Sequence, residues 1–165
     1  MVRSDDGFSM MEMMVVLAII AILALLAAPN LTDQIVRDQI KQALPLAEVA
    51  KKPVELSWVA AQALPVDNVA AGLPAADKIV NNYIRAVEVQ DGALHVTFGN
   101  RANAQLKDKV LTLRPAVVDD APIVPITWVC GYAEPPEKMA VKGDNKTSIP
   151  ANFLPFNCRA RLAKK

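Results

Sequence analysis

From Phe8 to Ala28 the chain reads FSMMEMMVVLAIIAILALLAA, and only Ser9 and Glu12 in that run are polar. As a helix rising 1.5 Å per residue, about 21 residues reach about 31 Å, close to a bilayer's hydrocarbon core. A cleaved secretory signal has a shorter apolar core, roughly 7–15 residues, and a small-x-small site beyond it. Here the alanines stand at 18, 21, 24, 27 and 28, so no Ala-x-Ala pair exists, and Pro29 follows directly. The run is therefore expected to remain on the mature protein as a transmembrane anchor over 8–29.

Glu12 is the anomaly within it. An uncompensated charge in hydrocarbon is costly, and ionisable side chains at membrane depth are functional by default. The bland alternative is a protonated Glu, or one whose carboxyl reaches the headgroups from one turn inside the helix.

The rest of the composition is ordinary. The chain has 165 residues, 53% of them hydrophobic, and a formal net charge of +1. That is enough for one domain plus an appendage, and the charge argues against a global field for nucleic acid. Cys130 and Cys158 are the two cysteines. In an exported chain they would most economically form one disulfide, and in the cytosol they would stay reduced.

After Pro29 the pattern turns amphipathic. Leu31, Ile35, Val36, Ile40, Ala43, Leu44 and Ala47 recur at three- and four-residue spacings, with charged residues between them, which predicts a helix over 30–58. Pro29 lacks an amide donor and is expected to bend the helix. Pro45 and Pro53 predict further bends, or an end near residue 52. Residues 59–83 read as an irregular connection.

Strand signals follow. IRAVEVQ (84–90) and ALHVTFG (93–99) flank Asp91-Gly92, a pair suited to a two-residue type I′ hairpin turn. Alternation puts Leu94, Val96 and Phe98 on one face, and His95 and Thr97 on a solvated one. VLTLRP (110–115) and IVPITWVCGY (123–132) supply two more strands. Four antiparallel strands against one long helix make an α+β fold, with a head over 84–165.

No catalytic constellation is visible. His95 is the single histidine, so no Ser-His-Asp or Cys-His arrangement exists away from it, and no phosphate loop or metalloprotease motif appears. Two thiols without a nearby His or carboxylate cluster argue against a metal. An enzyme is not expected, nor is a cofactor. Asn145-Lys146-Thr147 fits a glycosylation sequon, a weak motif in a polar loop. The C-terminal RARLAKK has four basic residues in seven. It reads as a solvated tail, or, repeated along an assembly, as a stripe that would hold DNA phosphates.

Ahead of the apolar run, Gly7-Phe8 is the one obvious small-residue junction, preceded by a short polar segment. Gly7-Phe8-Ser9, Glu12 four residues after Phe8, MVVLAIIAILALLAA and Pro29 together resemble the class III signal of type IV pilins and pseudopilins. Further along, Ala76-Asp77-Lys78-Ile79, the Asp91-Gly92 hairpin, Trp128-Val129-Cys130-Gly131 and Leu154-Pro155-Phe156-Asn157-Cys158-Arg159 are similar to type IVa pilins.

The resemblance implies a leader over 1–7, cut between Gly7 and Phe8 by a prepilin peptidase that also N-methylates Phe8. It implies a filament-core helix over 8–29 bent at Pro29, and a Cys130–Cys158 disulfide bounding a C-terminal loop. Glu12 would neutralise the new Phe8 amine of a neighbouring copy and so set the stagger between helices. The implied partners are other copies of the chain, the pilus assembly machinery and the inner membrane before assembly. The implied destination is an extracellular pilus serving adhesion, twitching motility or DNA uptake. The other reading is a pseudopilin of a type II secretion system, or a minor or competence pilin. The cysteine pair and the C-terminal motif favour the pilin over the pseudopilin, because major pseudopilins usually lack them.

Overall fold

One helix, α1 (Met10–Ala61), supplies the N-terminal third of the chain, and a small antiparallel sheet lies within the remainder. The computed structural model describes residues 7–161, with the side chains of 27–31 outside the description. A boundary between Ile35 and Val36 separates two compact units.

In the first unit, the side chains from Phe8 to Leu26 are exposed around the whole circumference of the helix. A helix that is apolar all round needs a non-aqueous environment or neighbouring helices. Among the described residues, no helix is long and apolar enough to cross a membrane. Of the expected 8–29 span, residues 10–29 are helical, and the side chains of 27–29 lie outside the description. Position 29 lies inside α1.

In the second unit, Val36, Ile40, Ala43, Ala47, Ala50, Val54 and Trp58 form one buried stripe at three- and four-residue spacings. Ile35, expected in the stripe, is exposed. The stripe explains why α1 does not stop near residue 52. Pro45 and Pro53 each remove a backbone bond at a cost of about 3 kcal/mol. Burying each large apolar side chain returns roughly 1.5–3 kcal/mol, and the stripe keeps its spacing past both prolines. The helix ends where Gln62 takes a left-handed φ of 51° and its N–H bonds the Trp58 carbonyl.

The sheet contains β1 (Ile84–Gln90), β2 (Ala93–Phe98), β3 (Val110–Val117), β4 (Thr127–Cys130) and β5 (Ala140–Val141). Its order is β1-β2-β3-β4, with β5 pairing on β3. The register aligns Val89, Leu94, Leu113 and Cys130 in one row, and these side chains join the α1 stripe in one core. Asp91 and Gly92 both have positive φ, 48° and 79°, as a type I′ turn requires. A side chain at position 92 would also collide with Leu64, 2.8 Å away.

Two expectations need correcting. The fourth strand covers only Thr127–Cys130. Ahead of it, Val124 N–H closes a turn onto the Ala121 carbonyl; behind it, Gly131 turns with φ +56°. A fifth strand, β5, comes from the residues between the cysteines, where no strand was expected.

Candidate functional site

The expected processing junction is open. Gly7 and Phe8 precede the helix, Phe8 is 75% exposed, and a Cβ at Gly7 would meet nothing within 4 Å. The expected leader, apart from Gly7, lies outside the described residues. Ser9 is the N-cap of α1: its Oγ accepts the Met11 N–H at 3.2 Å. Glu12 reaches back in turn and its Oε2 accepts the Ser9 N–H at 3.4 Å. Ser9-x-x-Glu12 is thus a capping box, and the carboxylate also lies at the positive end of the helix dipole. Glu12 is therefore bound within its own chain, a role that the reading of its charge alone overlooks.

The second region is bounded by the cysteines. Cys130 and Cys158 are joined, with Cα atoms 4.6 Å apart. Gly131 is fitted against the closure: a side chain there would sit 2.8 Å from the Cys158 carbonyl, which itself accepts the Tyr132 N–H. Between the cysteines, residues 143–148 cross the outer side of the sheet and then follow β3. Gly143 abuts Ala93, where a Cβ would lie 2.6 Å from the alanine's own. The Lys146 N–H donates to Thr112 Oγ1 at 3.0 Å, and the Thr112 and Val110 N–H groups donate to Thr147 Oγ1 and Ser148 Oγ. The Lys146 ammonium reaches the Gln90 amide oxygen.

This strap overturns the expectation for His95. The side chain sits on the predicted face, opposite the core, but it is only 3% exposed. Its Nδ1 pairs with Thr112 Oγ1 at 3.0 Å, and its Nε2 is buried without a partner among the described residues. Burial pushes the imidazole below its ordinary 6.5, and the Lys146 charge pushes it the same way, against Glu88 and Asp144. Asn145, in the sequon, donates its side-chain N–H to the Gly131 carbonyl at 2.8 Å. In the basic C-terminus, Arg159 donates to the Leu154 and Asn152 carbonyls, while residues 162–165 lie outside the description.

A further tie is silent in the sequence. Asn68 is buried in the 62–83 connection. It donates to the Pro74 and Val87 carbonyls and accepts the Val89 N–H at 2.6 Å, which fastens the connection to β1. Among the described residues, no group of three or more His, Cys, Asp or Glu side chains could hold a metal.

A long helix with an apolar start, a four- to five-stranded head and a C-terminal disulfide loop agree with what comparison of the sequence finds. A family described as Pilin (bacterial filament) matches residues 36–159. The chain belongs to the pilin family. A prokaryotic N-terminal methylation motif matches residues 2–28 of the same pilin. The chain is 30% identical to a fimbrial protein of Neisseria meningitidis serogroup A over 162 residues, 93% of each chain. It is 30% identical to the type IV major pilin protein PilE of Neisseria gonorrhoeae over the same share. It is 31% identical to the type IV major pilin protein PilE1 of that organism, over 96% of each chain. These relatives agree with the pilus-subunit reading and do not favour the pseudopilin one.

Proposed function

We propose that this pilin is the repeating structural subunit of a type IV pilus. The observation that carries the reading is one continuous helix whose first half is apolar on every side and whose second half carries a pilin head. Among the described residues the first half has no partner within its own chain, and copies of itself are the partner a filament supplies.

On this reading a prepilin peptidase cuts between Gly7 and Phe8 and methylates the Phe8 amine. Before assembly the apolar run is held in the inner membrane; afterwards it lies in the filament core with the heads outward. Glu12 then pairs with the Phe8 amine of a neighbour. In a medium of low dielectric an unpaired charge is far costlier than a paired one, so the pair selects the stagger that brings the two together.

The test is the intact mass of filaments sheared from cells. The preparation should be dominated by residues 8–165 plus one methyl group and minus the two hydrogens lost to the disulfide. Filaments that lack this chain would sink the reading.

A further inference from the structure

Two apolar features of the head are left unused by its core. One is a groove of about 440 Å³ at the far end of α1, walled by Leu56, Val59, Ile123, Pro125 and Ile126. Leu56, Val59 and Ile123 are all well exposed, Ile123 at 89%. The other is Phe156, 90% exposed at the start of the 3-10 turn Phe156–Cys158. Large exposed apolar groups of this kind mark interaction sites.

The two are separate on the head: β4 runs from beside Ile126 to Cys130, the disulfide there holds Cys158, and Phe156, largely exposed, does not fill the groove. Arg37 Nε donates to the Asn152 carbonyl at 3.0 Å, which sets the loop carrying Phe156 beside the first head turn of α1. Leu56 and Val59 stand about 20 residues further on, roughly 30 Å along the axis. A knob and a groove that both stay exposed do not satisfy each other within the chain. Between copies they make a heterologous contact, which repeats without closing and produces an open filament.

Charge at the two features runs the same way. On the groove side Lys52 and Glu55 offset each other, as do Lys142 and Asp119, which pair at 2.8 Å; Asp120 in the same loop is left over. Phe156 is followed by Arg159 and Arg161.

We propose that Phe156 of one copy seats in the Leu56–Val59–Ile123 groove of the next copy along the filament. The proposal rests on the filament-subunit reading, and it names the contact through which one head touches the next. The groove volume falls within the ~300–1,000 Å³ typical of sites that enclose small molecules, ample for one phenyl ring.

The experiment uses full-length chain, produced in cells as the sole major subunit. Ile123→Cys and Phe156→Cys are introduced together and singly, and sheared filaments are treated with a short bis-maleimide. The double variant should give a ladder of multimers, and each single variant only monomer. If the cysteines disturb folding, a photo-reactive phenylalanine at 156 replaces them, and its adducts should map to 56–59 or 123–126 of a second copy. Phe156→Asp should lower filament yield about tenfold, as for an aromatic anchor in an interface. Filaments that form with no ladder, or whose adducts map elsewhere or to a different protein, overturn the docking and leave the subunit reading standing. A wild-type chain that gives no filaments removes both.

Discussion

Glu12 accepts the Ser9 N–H at the start of α1, where the Ser9 hydroxyl in turn takes the Met11 N–H. The carboxylate therefore has a partner before any assembly. A neighbour's amine would compete with a neutral amide for it, and a charged donor makes the stronger hydrogen bond. Exchange of one for the other is consistent with a group that stays satisfied in the lone chain and fixes register in the filament.

That division of roles separates two substitutions. Glu12→Gln keeps an acceptor for the Ser9 N–H and removes the charge, whereas Glu12→Ala removes both. Loss of a cap weakens the helix start by only about 1 kcal/mol. Both variants should be inserted and cleaved normally, and both should yield few filaments, measured as sheared pilin against cell-bound processed pilin. Wild-type yield from Glu12→Gln would leave Glu12 with its capping role alone.

The disulfide joins residues 28 apart in sequence, and the strap over 143–148 within the loop it bounds has no large apolar residue. In the chain-entropy account, closing such a loop stabilises the folded state by roughly 3.5 kcal/mol. Replacing Cys130 and Cys158 together by Ser should lower stability by about that much in urea unfolding of the detergent-solubilised chain. Protease should also cut first between 133 and 150. An unchanged midpoint would show that the hydrogen bonds along β3 hold the strap without the covalent link.

Asn68→Ala tests the tie between the connection and the sheet. The substitution leaves the buried Val89 N–H and two carbonyls without their present partner. Unsatisfied buried polar groups cost about 1–3 kcal/mol each, so a loss of at least 2 kcal/mol is expected. Faster amide exchange over residues 62–80, with β2 and β3 unchanged, would place the damage in the connection.

Much of this architecture can be read from local pattern, because local pattern is what creates it. The Asp91-Gly92 turn, the alternation in β2 and the Val36-Ile40-Ala43-Ala47 stripe each need only neighbouring residues to be recognised. What escapes is set by residues far away. Alternation puts His95 on the face opposite the core, but a strap some 50 residues later decides whether that face is wet. Pro45 and Pro53 look like helix ends until the sheet beneath them is known. Asn68 has no periodic context at all. The capping box is a different kind of miss: Ser9-x-x-Glu12 is a legible motif, hidden because a carboxylate in an apolar run draws the eye to its charge.

His95 supplies a pH test of the strap. Burial beneath residues 143–148 and the Lys146 charge hold the folded imidazole below 6.5, while in the unfolded chain it titrates near 6.5. As pH falls below 6.5 the unfolded chain therefore binds more protons than the folded one, and stability declines until the folded imidazole is protonated too. Above 6.5 the group contributes no slope. His95→Gln should remove this decline. The readout is the unfolding midpoint of both proteins from pH 8 to pH 4, together with amide exchange at Lys146 and Thr147. A wild-type midpoint as flat as that of His95→Gln below pH 6.5 would mean that the imidazole takes up its proton without disturbing the strap.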